Sequence, residues 1–319
     1  MILLKNCRYF NTEGRFEDGN ILVSDGKVVS TGPCEASGTE CYTIDLKGLR
    51  VIPGFIDIHI HGALGYDFTD AAPDKIADIS RFLLKNGTTS YMPTIATCSI
   101  NQMKKALTNI REAAAMAGEM ASIIGVHLEG PYISTKQRGN NDPAKIKLPD
   151  IGDYEEFKRI TDSLKLYITL APEVEGALEF IKKVHSDNNI IGIGHSDADT
   201  HETMNAIKLG ASVFTHLFNG MRGIHHREPG TAGTALTSDA YVEVICDGEH
   251  VHPDIIKLIY RIKGKEKIIL VTDAIRAAGT GKECHISAGQ EIYIKGVTAR
   301  KKDGSIVGTT LSMREAVKG

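Results

Sequence analysis

The sequence predicts an α/β protein, a (β/α)8 TIM-like barrel with a small flanking β-domain, and three observations carry that prediction. From residue 50 onward, eight apolar, β-branched runs are separated by amphipathic stretches. That is the pattern of parallel strands joined by crossover helices, and eight strands close such a barrel. Histidine, glutamate and aspartate stand where several of these runs stop, which in a barrel is the rim that carries chemistry. An open doubly wound sheet, the competing architecture, usually carries a GxGxxG loop after its first strand, and none is present there.

The elements follow in order. MILLKNCRYF and NILVSDGKVVSTG read as short strands with a turn at Ser24-Asp25-Gly26, giving a small β-domain over residues 1–49. The barrel is expected over 50–319, with strands in 49–61, 87–95, 121–130, 164–172, 190–195, 211–218, 241–248 and 267–274. Leucine, isoleucine and methionine recur at helical spacing in 74–87, 101–118, 153–164, 175–188, 201–211 and 253–264. The final TLSMREAVKG reads as the start of a helix that then stops, so the C-terminal part of the fold is expected to be missing.

Composition narrows the function classes. Hydrophobic residues make up 42% of the 319 and charged residues 24%, as in ordinary soluble domains. Lysine plus arginine number 37 against 40 acidic residues, a net charge of -3, which argues against nucleic acid or an anionic membrane as partner. The six cysteines include no CxxC pair, no run reaches transmembrane length, and the first ten residues are too briefly apolar for a signal peptide. A cytoplasmic location is expected.

The chemistry lies at the strand ends. In GFIDIHIHG, His59 and His61 are two apart on one strand and so project to the same face. The third run ends in His127-Leu-Glu129, the fifth in His195, the sixth in His216, and the eighth in Asp273, while the seventh leads into Asp247-Gly-Glu-His250. Nitrogen and carboxylate donors without cysteine suit Zn2+ or Fe2+ rather than Mg2+ or Ca2+. A metal held by Glu129, His195 and His216 would keep a position open for water and lower its pKa to about 7. Asp273 is then the general base that later returns the proton. His127 reads equally as a support for Glu129 or as a structural residue, and His185, His201 and His285 read as solvated.

The motifs PGFIDIHIHG, HLEGPYIS, GHSDA, THLFNGM, HHREPG, DGEHVHP and VTDAI, in this order, resemble the amidohydrolase superfamily. Within it, the resemblance is to the N-acetylglucosamine-6-phosphate deacetylase family and runs over almost the whole chain. It implies a barrel beside a small β-domain, a homodimer, and hydrolysis of an N-acetylated amino-sugar phosphate to free amino sugar and acetate. By motif, Glu129, His195 and His216 match the family's metal ligands and Asp273 its acid/base. His59 and His61 match the HxH pair found in some members, so one ion or two are implied. Asn219, Gly220, Arg227 and His250 match positions that hold the sugar phosphate, and Ile306, Val307 and Gly308 match a further substrate-contacting loop.

One departure concerns Asn141, in RGNNDP, which stands where many members carry a histidine facing the acetyl carbonyl. An amide can donate to an oxyanion but carries no charge, and losing one such donor costs roughly 10²–10³ in rate. Three readings stay open on sequence alone. They are a deacetylase of N-acetylglucosamine 6-phosphate, one of another amino-sugar phosphate such as N-acetylgalactosamine 6-phosphate, and a catalytically impaired sugar-phosphate-binding protein.

Overall fold

A computed structural model describes residues 1–35, 41–287 and 290–318. The chain divides into two compact units, Met1–Gly54 and Phe55–Gly319. In the first, strand Ile2–Phe10 runs antiparallel to Phe16–Ser24 and parallel to Tyr42–Asp45 and Arg50–Val51. Cys7, Tyr9 and Ile21 form its small core. Asp25 and Gly26 both take positive φ (50° and 72°), as a type I′ hairpin turn requires.

The second unit contains the barrel. Its strands, in order, are Phe55–Ile60, Thr88–Ala96, Gly125–Glu129, Lys165–Leu170, Ile190–Ile193, Val213–Phe214, Tyr241–Ile245 and Ile268–Val271. Each pairs in parallel with its sequence neighbour. The eighth strand meets the first just past its end. A parallel bridge joins Ile60 to Ala274, and Asp273 N–H donates to the His59 carbonyl at 2.9 Å. This closure brings the chemistry of the last strand beside the HxH pair of the first.

Among the described residues, eight α-helices follow the strands in turn: α1 (Pro73–Lys85), α2 (Ile100–Ala114), α3 (Ile151–Thr161), α4 (Ala177–Ser186), α5 (Thr200–Lys208), α6 (Gly230–Thr237), α7 (Pro253–Lys263) and α8 (Met313–Ala316). Their starts are set locally. Ser99, Asp150 and Asp199 accept the free N–H groups opening α2, α3 and α5. Helix α6 carries no apolar stripe, because its sequence, GTAGTALT, is mostly small residues and is buried at every position but the last.

A four-stranded antiparallel sheet, Cys284–Ser287, Gln290–Lys295, Thr298–Arg300 and Ile306–Thr309, lies in the sequence between the eighth strand and α8. The sequence showed only a loop here, around Gly308. The sheet contributes Ile292 and Ala299 to a core shared with Ile275 and Ala277. It touches the barrel's closing edge directly, since Thr309 N–H donates to the Asp273 carbonyl at 2.9 Å.

Candidate metal centre and active site

Glu129 ends the third strand with its carboxylate buried among four imidazoles. Its Oε1 lies 2.9 Å from His216 Nε2 and 3.1 Å from His195 Nε2, and its Oε2 lies 3.2 Å from His61 Nε2. His59 Nε2 stands 3.6 Å from Glu129 Oε1 and 3.6 Å from Asp273 Oδ1. Asp273 Oδ1 also lies 3.3 Å from His61 Nε2. The ligand atoms form two buried triads that share Glu129: His59, His61, Glu129, and Glu129, His195, His216.

The backbone aims these groups. His195, His216 and Asp273 have φ of 47°, 32° and 48°, so the chain bends sharply at three strand ends. Left-handed backbone at a non-glycine residue is costly and persists where the surroundings fix it. Gln137 carbonyl meets His195 Nδ1 at 2.8 Å, leaving Nε2 to face Glu129. Gly220 backs the same ring, since a Cβ there would stand 2.8 Å from His195 Nδ1. Gly308 has φ of 91°, and a Cβ on it would press on the Asp273 carbonyl at 2.9 Å.

The electrostatics are those of a cation site. Burial alone raises the Glu129 carboxyl, but the surrounding imidazoles outweigh it and hold the group well below the ordinary glutamate range. Asp273 is likewise raised by burial and lowered further by His61 and His59. Burial disfavours the charged forms of His59, His61 and His195, yet the nearby carboxylates raise all three, His59 to about 9. Two nitrogens, His59 Nε2 and His216 Nδ1, are buried without a hydrogen-bond partner. A divalent cation would replace the protons these histidines otherwise hold, and nitrogen with carboxylate donors suits it. The residues fit a divalent metal.

Not every residue expected at the site joins the cluster. His250 is held by Asp247, whose Oδ2 accepts from its Nδ1 at 2.7 Å. Asn219 donates to the His216 and Leu217 carbonyls at 3.3 Å each, so it steadies the turn carrying His216. Asn141 turns back on its own loop and donates to the Arg138 carbonyl at 2.9 Å. Arg227 is exposed, with its guanidinium 2.5 Å from His226 Nε2, and makes no ion pair with Glu228 among the described residues. Ile306 and Val307 are half-buried on the strand that Gly308 continues. His127 is tied into the barrel interior. Its ring nitrogens meet Thr94 and Thr169 hydroxyls at 3.1 and 2.7 Å, and it stacks on Tyr167 with centroids 4.0 Å apart.

Two buried carboxylates escaped the sequence reading. Asp57 accepts from the His59 amide at 3.2 Å and from Thr272 Oγ1 at 2.6 Å. Glu243 accepts from His59 Nδ1 at 3.0 Å and from the His216 amide at 3.1 Å. The signal was present in FIDIH and YVEVI, where a carboxylate interrupts an apolar strand. A charge at such a position needs partners.

Barrel and site together define a class: the chain belongs to the amidohydrolase family, which matches residues 50–309. More narrowly, it is 36% identical to N-acetylglucosamine-6-phosphate deacetylase of Bacillus subtilis (strain 168), over 99% of this chain and 81% of that one. It is 33% identical to N-acetylgalactosamine-6-phosphate deacetylase of Escherichia coli O157:H7, over 99% and 82%. The crystal structure of N-acetylglucosamine-6-phosphate deacetylase from Pasteurella multocida superposes with a TM-score of 0.92 at 31% identity, covering 99% of this chain and 83% of that one.

Proposed function

We propose that the chain hydrolyses the N-acetyl group of N-acetylglucosamine 6-phosphate, releasing acetate and glucosamine 6-phosphate. The observation that carries this reading is the convergence of Glu129, His195, His216 and Asp273 in one buried cluster, on a chain similar to deacetylases over nearly its whole length. Glu129, His195 and His216 would hold a divalent ion, Zn2+ in this reading and Fe2+ as the alternative, which when bound would supply Lewis acidity to water and to the amide carbonyl. His59 and His61, with Glu129, offer a second ion its ligands.

Asp273 performs the proton transfers. Its neighbours keep its carboxyl ionised, so it accepts a proton from the attacking water and delivers it to the departing amine nitrogen. Arg227 and His250 bind the phosphate, the first as a forked, permanently charged donor and the second through Nε2, left free by the bond to Asp247. Asn219, Gly220 and the Ile306–Gly308 strand line the sugar side. Asn141, one of whose two amide N–H groups is taken by the Arg138 carbonyl, has the other to offer the acetyl carbonyl.

We further place the protein in the cytoplasm as a homodimer. All six cysteines are free, as a reducing compartment keeps them, and among the described residues no helix is long and apolar enough to cross a membrane. The dimer rests on family resemblance.

A second reading has its own support in the similarity to the N-acetylgalactosamine-6-phosphate enzyme. The test is acetate release by Zn2+- or Fe2+-loaded protein from each of the two N-acetylhexosamine 6-phosphates. Turnover of the gluco substrate with the larger kcat/KM upholds the proposal. Preference for the galacto epimer moves the assignment to the second reading, and turnover of neither by folded, metal-loaded protein overturns both.

A further inference from the structure

Glu243 takes no step in the reaction above, yet its carboxylate is fully enclosed in the barrel. Its Oε1 accepts from the Tyr167 hydroxyl at 2.8 Å, and that hydroxyl lies 2.9 Å from Thr215 Oγ1. Its Oε2 accepts from His59 Nδ1 at 3.0 Å and from the His216 amide at 3.1 Å. Among the described residues, no lysine or arginine pairs with it. A buried carboxylate is costly unless its oxygens are filled, and three donors fill this one. Two of them belong to residues of the metal centre, on strand one and just past strand six of the barrel.

We propose that Glu243 is a positioning residue for the metal centre. By accepting the Nδ1 proton of His59 it leaves Nε2 as the bare, cation-facing nitrogen. By accepting from the His216 amide it holds the strained turn at φ 32° that presents the second imidazole. An imidazole ligates only through a nitrogen without a proton, and a carboxylate on the opposite nitrogen settles which one that is. Tyr167 fixes the other oxygen, so the carboxylate cannot swing away from His59. The direction is visible at the far side of the ring, where Nε2 has no hydrogen-bond partner and points between Glu129 and Asp273.

This inference rests on the reading of His59 as a ligand, and the experiment separates the two. Zn2+ affinity of the full chain is measured by competition with a chromophoric chelator for wild type, His59→Ala and Glu243→Met, each checked for folding by circular dichroism. Loss of a supporting partner of this kind costs about 10–100-fold in metal affinity, and that loss is expected in Glu243→Met for the same ion that His59→Ala weakens. Wild-type affinity in folded Glu243→Met, beside a weakened His59→Ala, overturns the positioning role alone. Wild-type affinity in His59→Ala overturns the ligand reading and this inference with it. Should Glu243→Met fail to fold, nitrogen-15 histidine NMR of the Zn2+-loaded wild type decides. A protected proton on His59 Nδ1 upholds the inference, and a proton on Nε2 overturns it.

Discussion

The Nε2 atoms of His195 and His216 face each other across 3.2 Å, with one oxygen of Glu129 within 3.1 Å of both. Three polar atoms crowded so closely need something positive between them, either protons or a cation. Stripped of metal, the protein should melt at a lower temperature and recover with added Zn2+. Ligand at 100 times its Kd adds about 2.7 kcal/mol. A melting temperature indifferent to chelator and to Zn2+ would contradict the metal site.

Metal binding should release protons. Carboxylates raise His59 to about 9 and raise His61 and His195 as well, so without a cation the His59 ring is protonated at neutral pH. Affinity should therefore climb with pH towards about 9, the His59 value. Calorimetry in two buffers of different ionisation enthalpy reads the proton count, and equal heats in both would refute the prediction.

Replacing Asp273 by asparagine should separate chemistry from binding. The amide keeps the shape but cannot take a proton, and loss of a general base costs about 10²–10⁴ in kcat. KM and Zn2+ content should change little. Acetate release and metal analysis on one preparation provide the check.

Gly220→Ala should damage the metal centre from behind. The new methyl would stand 2.8 Å from His195 Nδ1, at a backbone φ of 56° that alanine disfavours. The strain is of order 1–3 kcal/mol, and it is relieved by pushing a ligand ring aside. Lower Zn2+ affinity together with a lower melting temperature is expected.

Asp247 should make a pH-dependent contribution to stability. Burial raises its carboxyl, but the His250 ring and the amides of Glu249 and His250 outweigh this and set it at about 2. With a folded value below the unfolded one, the stabilisation is fully present above about pH 4 and fades as pH falls towards 2. It amounts to about 2 kcal/mol at pH 7. Urea unfolding of wild type and Asp247→Asn should show a gap at pH 7 that narrows by pH 3.

The sequence made much of the barrel legible because its parallel strands are buried on both faces and leave apolar runs that alternation with helices separates cleanly. Helix α6 was hidden by its alanines, threonines and glycines, which give no stripe. The sheet around Thr298 and Thr309 was hidden because its strands are short and only partly apolar. At the site, His59, His61, Glu129, His195, His216 and Asp273 could be read because each lies at or next to the end of an apolar run. Glu243 and Asp57 lie inside their strands, and their partners (a ring nitrogen, backbone amides, hydroxyls) come from distant positions that only the closed barrel brings near. Asn141 could be aligned by motif, but its bond to Arg138 is a loop conformation that no spacing reveals.

The left-handed backbone at His195, His216 and Asp273 leaves a mark on how such a chain can age. Glycine occupies that region more cheaply than histidine or aspartate, so glycine at any of the three would relax the backbone at the expense of the side chain. A duplicate freed from selection for turnover would gain robustness by drifting there first. Descendants that kept the fold but shed the chemistry should therefore be recognisable by glycine at these three bends.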